Sequence, residues 1–142
     1  MSTKIVPLND DEAPRPLLPE GWLRPSGYSN GMTAKGRLVV TGGVVGWDLK
    51  GQFEDDFVAQ TRQTFANIVA ILKAGGAEPK HLVRLTWYVT DIDAYTSNLR
   101  EIGLAYRTAF GRSYPAMAVV QVVRLVEPKA MIEIEATAVV AE

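Results

Sequence analysis

Apolar and polar residues alternate along this chain with the periods of helices and strands. From Phe57 onward apolar residues recur at helical spacing, two acidic residues (Asp55 and Asp56) stand near the start, and Gly75 follows the last apolar position. Acidic residues suit the positive end of the helix dipole, and glycine commonly ends a helix. The pattern therefore predicts an amphipathic helix over about residues 55–74.

A strand and a second helix follow. Residues 83–90 alternate strictly between apolar and polar side chains, which is the period of a strand that is buried on one face. We predict the second helix from about Ala94 to Phe110, with Asp93 as its N-cap and Gly111 just beyond its end.

A hairpin is predicted ahead of the first helix. Residues 32–34 and 38–41 have strand character and are separated by the glycine-containing turn 35–37. Gly42 and Gly43 end the second strand, where glycine indicates a bulge or a close approach of another group to the backbone.

Two further strands, about 116–125 and 130–140, complete the chain. The order of elements predicts an α+β sandwich: a mixed sheet with two helices packed on one face. The last strand is apolar on one face only, whereas strand 116–125 is apolar on both faces, as in strands that are buried on both sides. We expect another copy of the chain to cover the second face, so the protein is predicted to be a homo-oligomer.

The N-terminal region differs in composition from the rest. Five of the eight prolines lie within the first 25 residues, where they oppose helix formation and remove backbone donors. We expect an extended arm over residues 1–24 and a single domain over residues 25–142. The apolar side chains of the arm are expected to pack on a surface of the domain or of a neighbouring subunit.

Composition excludes several classes of function. A formal net charge of −1 and a pI near 5.9, with scattered basic residues, give no footprint for nucleic acid. The chain has no cysteine, and its one histidine, His81, cannot form a cluster, so we predict neither a metal site nor a cofactor. No apolar stretch approaches the roughly 20 residues that a membrane span needs. A cytoplasmic protein is the expectation.

The C-terminal part of the chain carries a recognisable motif. Residues 114–120 (Tyr-Pro-Ala-Met-Ala-Val-Val), followed by Arg124-Leu125 and by Glu-Ile-Glu-Ala at 133–136, resemble the signature of the RidA (YjgF) family. The ordered set is more specific than any one piece. Other segments that resemble the family lie at residues 25–29, 41–43, 60–63 with Asn67, and 86–91.

The resemblance implies a chorismate-mutase-like sandwich that forms a homotrimer, with the sheets facing a central barrel. It also implies hydrolysis of reactive enamines and imines in a cleft between subunits. Glu133 matches the glutamate that holds and polarises the attacking water, and Met117 stands where active members carry an arginine that grips the substrate carboxylate. The positions that the resemblance implies for substrate binding are Tyr28, Thr41, Gly42, Tyr88, Asn98 and Met117.

Further departures from the family pattern accompany Met117. Gly43 replaces a glutamine, Val119 stands where several members have a cysteine, and Gln121 stands where many have a glutamate. A thioether cannot supply the charged, two-pronged donor that arginine offers a carboxylate. Activity on 2-iminopropionate and related imines is therefore expected to be weak or absent.

Several alternatives stay open at this point. Another arginine could replace the missing one (Arg24, Arg84 or Arg112), the substrate could lack a carboxylate there, or the site could bind without reacting. Glu133 could instead be an ordinary strand carboxylate, either solvated or paired with Arg84 or Arg124, and Met117 could be a core residue. The function is thus predicted as hydrolysis of an imine, an enamine or a related C–N bond. The alternative is a non-catalytic module that binds a metabolite and has a regulatory role.

Overall fold

The computed structural model describes residues 13–142 of the chain. The strands are β1 (Arg15–Leu17), β2 (Gly31–Thr33), β3 (Arg37–Val40), β4 (Val44–Val45), β5 (Leu82–Val89), β6 (Ala116–Gln121) and β7 (Ile132–Val140). The helices are α1 (Phe57–Ala74), α2 (Ile92–Thr96) and α3 (Leu99–Phe110), with a 3₁₀ turn at Pro79–His81.

The main sheet is mixed, as predicted. Its strands lie in the order β3-β7-β5-β6, and β4 also pairs with β7. The pairs β3–β7, β4–β7 and β5–β7 are antiparallel, whereas β5 and β6 are parallel. Because parallel neighbours need a crossover, α2 and α3 connect β5 to β6. The α+β sandwich is confirmed, with one more short helix than the sequence predicted.

The core lies between the sheet and the helices α1 and α3. Phe65 of α1 contacts the rings of Trp87, Tyr106 and Phe110, with centroids 5.4, 5.7 and 4.9 Å away. The inward face of β7 is buried from Ile132 to Ala138, as its alternation predicted, and it is half-buried at Val140. The helix α1 starts at the N-cap Asp56, whose carboxylate accepts a hydrogen bond from Ala59 N, and it ends at Gly75.

The predicted alternation of buried and exposed side chains in β5 is confirmed from Leu85 onward. Before Leu85 the buried position differs from the prediction. Leu85, Trp87 and Val89 are buried. An irregularity in the pairing with β7 between Leu82 and Arg84 places Leu82 in the core instead of the expected Val83. At the other end of the sheet, β6 stops at Gln121 rather than at residue 125.

The predicted helix 94–110 is wrong in one respect, because it is broken in two. Asp91, not Asp93, caps the first piece: its carboxylate accepts a hydrogen bond from Asp93 N at 3.0 Å. The side chain of Gln121 accepts a second hydrogen bond from Ile92 N at 2.9 Å. At the break, Asn98 Nδ2 donates to the carbonyl of Ala94, and only Ser97 and Asn98 separate the end of α2 from the start of α3.

The predicted hairpin between residues 32–34 and 38–41 is also wrong. The strand β2 pairs with β1, and β3 pairs with the end of β7, about a hundred positions later in the chain. At Gly36, which has φ +148°, an added Cβ would lie 2.0 Å from the carbonyl oxygen of Val140. The turn is therefore shaped by the packing of β7, which a local pattern does not reveal.

The predicted arm is described only from residue 13 onward. There, β1 forms a two-stranded sheet with β2, so this part of the arm lies on the domain of its own chain. Pro7 lies outside the described residues, and the boundary between residues 24 and 25 stays a prediction. Within residues 13–142, no helix combines the length and apolar character needed to cross a membrane.

Candidate functional site

A groove of about 1150 Å³ opens on the helix side of the sheet, beside the edge strand β6. Met117 and Val119 of β6 line it together with Trp87 of β5 and Ile102 of α3. These side chains are apolar, so they form an uncharged floor. Met117 packs against the core and also lines the groove, which combines the two roles that the sequence left open.

The rim of the groove is fixed by contacts around the start of β6. Ser29 N donates to the carbonyl of Pro115 at 3.0 Å, and Ser29 Oγ donates to the carbonyl of Tyr114. Tyr114 is stacked on Tyr106, and the hydroxyl of Tyr106 donates to the carbonyl of Ser113. Burial raises the pKa of Tyr106, and Tyr114 adds a smaller effect in the same direction. Tyr28 precedes Ser29 and lines the same groove as Met117. The structure therefore brings the predicted residues Tyr28 and Met117 to one groove.

The groove carries positive charge. Arg24, Arg107, Arg112 and Lys80 line it, and none of the described residues that line it is acidic. Lys80 forms an exposed ion pair with Glu78, at 3.5 Å. Arg24 and Arg112, two of the three arginines that the sequence offered as replacements for the arginine expected at residue 117, thus line the same groove as Met117.

The third of those arginines, Arg84, lies elsewhere. It is exposed, whereas the neighbouring Leu85 is buried in the core. Because side chains alternate along β5, Arg84 points to the opposite face of the sheet, away from the groove.

Glu133 lies on that opposite face, which we call the outer face. It pairs with Tyr88 of β5 in the sheet, while its neighbours Ile132 and Ile134 are buried in the core. The Glu133 carboxylate lies directly over the backbone of Gly43. A Cβ added at Gly43 would be 2.7 Å from Glu133 Cδ and 2.9 Å from each carboxylate oxygen. The close approach expected at the two glycines is confirmed at the second.

The neighbouring residues Thr41 and Gly42 belong to the same region. Thr41 continues the pairing with β7: its backbone N–H donates to the carbonyl of Ala136 at 2.9 Å, and its Oγ1 accepts from Ala136 N at 3.0 Å. The hydroxyl of Thr41 also donates to the carbonyl of Gly42. The backbone N–H of Gly42 and that of Gly43 do not take part in any of these bonds.

Tyr88 and Glu135 complete the outer-face region. Hydrogen bonding with the Glu135 carboxylate raises the pKa of Tyr88 above its ordinary value, and partial desolvation and the charge of Glu133 act in the same direction. Tyr88 therefore stays protonated and can donate a hydrogen bond across the neutral pH range. In the part of the chain that is described, Glu133 forms no ion pair with Arg84 or Arg124, so an ordinary strand carboxylate stays open as an alternative only in its solvated form.

The predicted site residues thus fall into two groups on opposite faces of one sheet. Met117 and Tyr28 line the groove on the helix side, whereas Glu133 and Tyr88 lie at the outer face. Thr41 and Gly42 follow β3, next to Gly43, over which the Glu133 carboxylate lies. Asn98 belongs to neither group, because its side chain bonds to Ala94 at the break between α2 and α3.

Two residues that line the groove were not predicted as site residues from the sequence. Arg107 gave no signal, since exposed arginines on helices are common, and Trp87 was expected only as core, where it also lies.

The side chains that could bind a metal ion are chiefly those of His, Cys, Asp and Glu. From residue 13 to the end of the chain, no three His, Cys, Asp or Glu side chains are grouped so that they could hold an ion.

Comparison with known proteins extends over nearly the whole chain. A family model described as endoribonuclease L-PSP matches residues 23–140. A RutC family protein of Pyrococcus horikoshii is 34% identical over 134 residues, which cover 90% of this chain and 92% of that protein. A 2-iminobutanoate/2-iminopropanoate deaminase of Salmonella typhimurium is 36% identical over 106 residues, or 73% of this chain and 80% of that enzyme.

A solved structure is similar over a comparable range. The crystal structure of a Rid family protein of unknown function from Yersinia pestis superimposes with a TM-score of 0.80 at 32% sequence identity. The match covers 91% of this chain and all of the other. Both faces of the sheet therefore lie within the region of similarity.

Proposed function

The chain belongs to the RidA (YjgF) family, and from this premise we propose that it binds a small metabolite in a cleft between two copies of itself and hydrolyses an imine or enamine there. Family membership supports an imine-deaminase-like or metabolite-binding role. The finer assignment, with Glu133 as the group that activates water, is our proposal.

The position of Glu133 is the observation that carries this proposal. Its carboxylate lies over the bare backbone of Gly43, is partly exposed, and has no cationic partner in the described residues. A carboxylate that is free of ion pairs can accept a proton from water when water attacks the C=N carbon. The proton then passes to the departing nitrogen, and ammonia and a carbonyl compound are released.

The division of the site between two faces supports a cleft shared by two copies. Met117 and Glu133 cannot border one pocket of a single chain, because the sheet lies between them. The outer face also exposes Leu38 (63%), Val40 (57%) and Val120 (42%), which are apolar side chains that a second copy would bury. A homotrimer with the sheets facing a central barrel would satisfy both observations.

Met117 limits which imines the proposed site can use. A buried two-pronged charged contact is commonly worth about 2–5 kcal/mol, and each 1.4 kcal/mol or so corresponds to about tenfold in rate or affinity. We therefore expect turnover of 2-iminopropionate to fall at least about a hundredfold below that of a matched chain with arginine at this position.

The second candidate is a module that binds the metabolite without turnover. The neutral floor around Met117 favours it, because the group that grips the carboxylate in active members is missing there. Such a module would show thermal stabilisation by its ligand and no release of ammonia.

An ammonia-release screen over freshly generated imines and enamines tests the proposal. We expect at least one compound to be turned over, Glu133→Gln to reduce its rate by about two powers of ten or more, and the exposed control Glu101→Gln on α3 to leave it unchanged. Met117→Arg should raise turnover of imines derived from amino acids. An unchanged rate in Glu133→Gln would refute the role of Glu133, and ligand binding without any turnover would favour the second candidate.

A further inference from the structure

The groove beside Met117 has the charge pattern of a site for an organic anion. Arg24 and Arg112 lie on its rim, Arg107 adds a third guanidinium, and the described lining contains no carboxylate that would neutralise them. None of these three arginines forms an ion pair with another described residue. Guanidinium groups gathered in one groove repel each other, and a bound carboxylate would relieve this repulsion.

A buried donor lies beside the apolar floor of the groove. Trp87 is 2% exposed, lines the groove, and its indole Nε1–H has no hydrogen-bond acceptor among the described residues. Buried polar groups are nearly always paired, so this N–H is an unsatisfied donor next to that floor.

The floor of the groove determines where the charge of a ligand would lie. Met117, Val119 and Ile102 offer only apolar surface, and methionine adapts its shape to an apolar partner. A carboxylate next to Met117 would lose its hydration without a donor to replace it. The rim arginines offer those donors instead. The volume also exceeds what a three-carbon acid requires, because pockets for drug-sized ligands commonly measure about 300–1,000 Å³.

We infer that the groove binds an organic carboxylate with an extended apolar body, whose charged end is held by Arg24 and Arg112 and whose apolar part lies over Met117 and Val119. This inference deepens the proposed function and rests on it, since Met117 belongs to both. It assigns the site a substrate class in which the carboxylate is separated from the reacting carbon by an apolar segment.

A binding experiment without turnover tests this inference. Titration calorimetry and thermal shift would compare phenylacetate, 3-phenylpropanoate and 4-phenylbutanoate with the corresponding alcohols, which differ only in the charged group. We expect the longer carboxylates to bind at least about tenfold more tightly than their alcohols. In the variant Arg24→Gln/Arg112→Gln this preference should disappear, while the weaker binding of the alcohols persists.

Three controls make the outcome decisive. Arg62→Gln removes an exposed arginine of α1 that does not line the groove, and it should keep the full preference. The melting temperature of each variant without ligand reports on folding. Glu101→Gln removes an exposed carboxylate of α3 that does not line the groove, and it should also keep the full preference. Because binding is measured without turnover, failure of the water-activating role and failure of this inference can be told apart. Equal affinity for carboxylates and alcohols, no binding of either, or an unchanged preference in the double arginine variant would overturn the inference.

Discussion

The carboxylate of Glu133 occupies the space that a side chain at residue 43 would need. Only glycine leaves room there, since an added Cβ would meet Glu133 Cδ at 2.7 Å. In the resemblance read from the sequence, this glycine stands at the place of a glutamine, and Met117 stands at the place of the arginine. The two departures belong to different faces of the sheet: one changes the surroundings of the acid, and the other changes the floor of the groove.

Gly43→Ala should therefore move the carboxylate while leaving the fold intact. The clash involves the flexible end of a side chain rather than backbone, so we expect the free energy of unfolding to change by less than about 1 kcal/mol. Displacing a catalytic group by about 1 Å can cost about a hundredfold in rate, and kcat for the imine identified in the screen should fall by one to two powers of ten or so. Ammonia release and calorimetric melting measure the two effects.

Gly42→Ala controls for the stability measurement, because a Cβ added there meets no atom within 4 Å. A Gly43→Ala variant with undiminished kcat would argue against a role of Glu133 at the position described here.

The elements with strong local patterns were predicted well. The apolar side chains of β7 and α1 pack against each other in the core. Their spacing therefore has the period of a strand and of a helix, which the sequence shows directly. The pairing of β3 with β7 was missed, because the register that joins Arg37 to Val140 depends on residues far apart in the chain. The break was missed because serine and asparagine are both compatible with a helix, and the end of α2 is marked by the bonds of Ser97 to Asp93 and of Asn98 to Ala94.

The contact between β4 and α1 positions the segment that carries Gly43. Asn67 of α1 donates from Nδ2 to the carbonyls of Val45 and Trp47, at 2.9 Å each. Gly46 lies so close to the helix that an added Cβ would be 2.6 Å from the carbonyl oxygen of Gln60. The clash at Gly46 is with backbone, which cannot rotate away.

We expect Gly46→Ala to lower the free energy of unfolding by about 1–3 kcal/mol, the usual cost of overpacking a closely packed contact. Denaturation in urea, with Gly42→Ala as the matched glycine that has free space, measures the difference. Equal midpoints for the two variants would show that β4 and α1 are not in the close contact described.

In the complete molecule, the groove and the outer-face region of one chain lie on opposite sides of its sheet. The sequence offered candidate site residues through the family resemblance, but it could not assign them to the two faces of the sheet. In the structure, the sheet separates the Met117 groove from Glu133. A shared cleft therefore requires the groove of one copy to meet the outer face of the next, and the exposed Leu38, Val40 and Val120 give that face the apolar character of an interface.

Cysteine cross-linking tests this arrangement most directly, because the chain contains no cysteine of its own. The double variant Met117→Cys/Glu133→Cys would be treated with a short bis-maleimide, with both single variants as controls and light scattering to report the assembly. Since the two positions lie on opposite faces of one chain, the account predicts covalent dimers and trimers from the double variant and few from the single ones. A double variant that stays uncross-linked within a stable oligomer, or a protein that is monomeric at micromolar concentration, would contradict it.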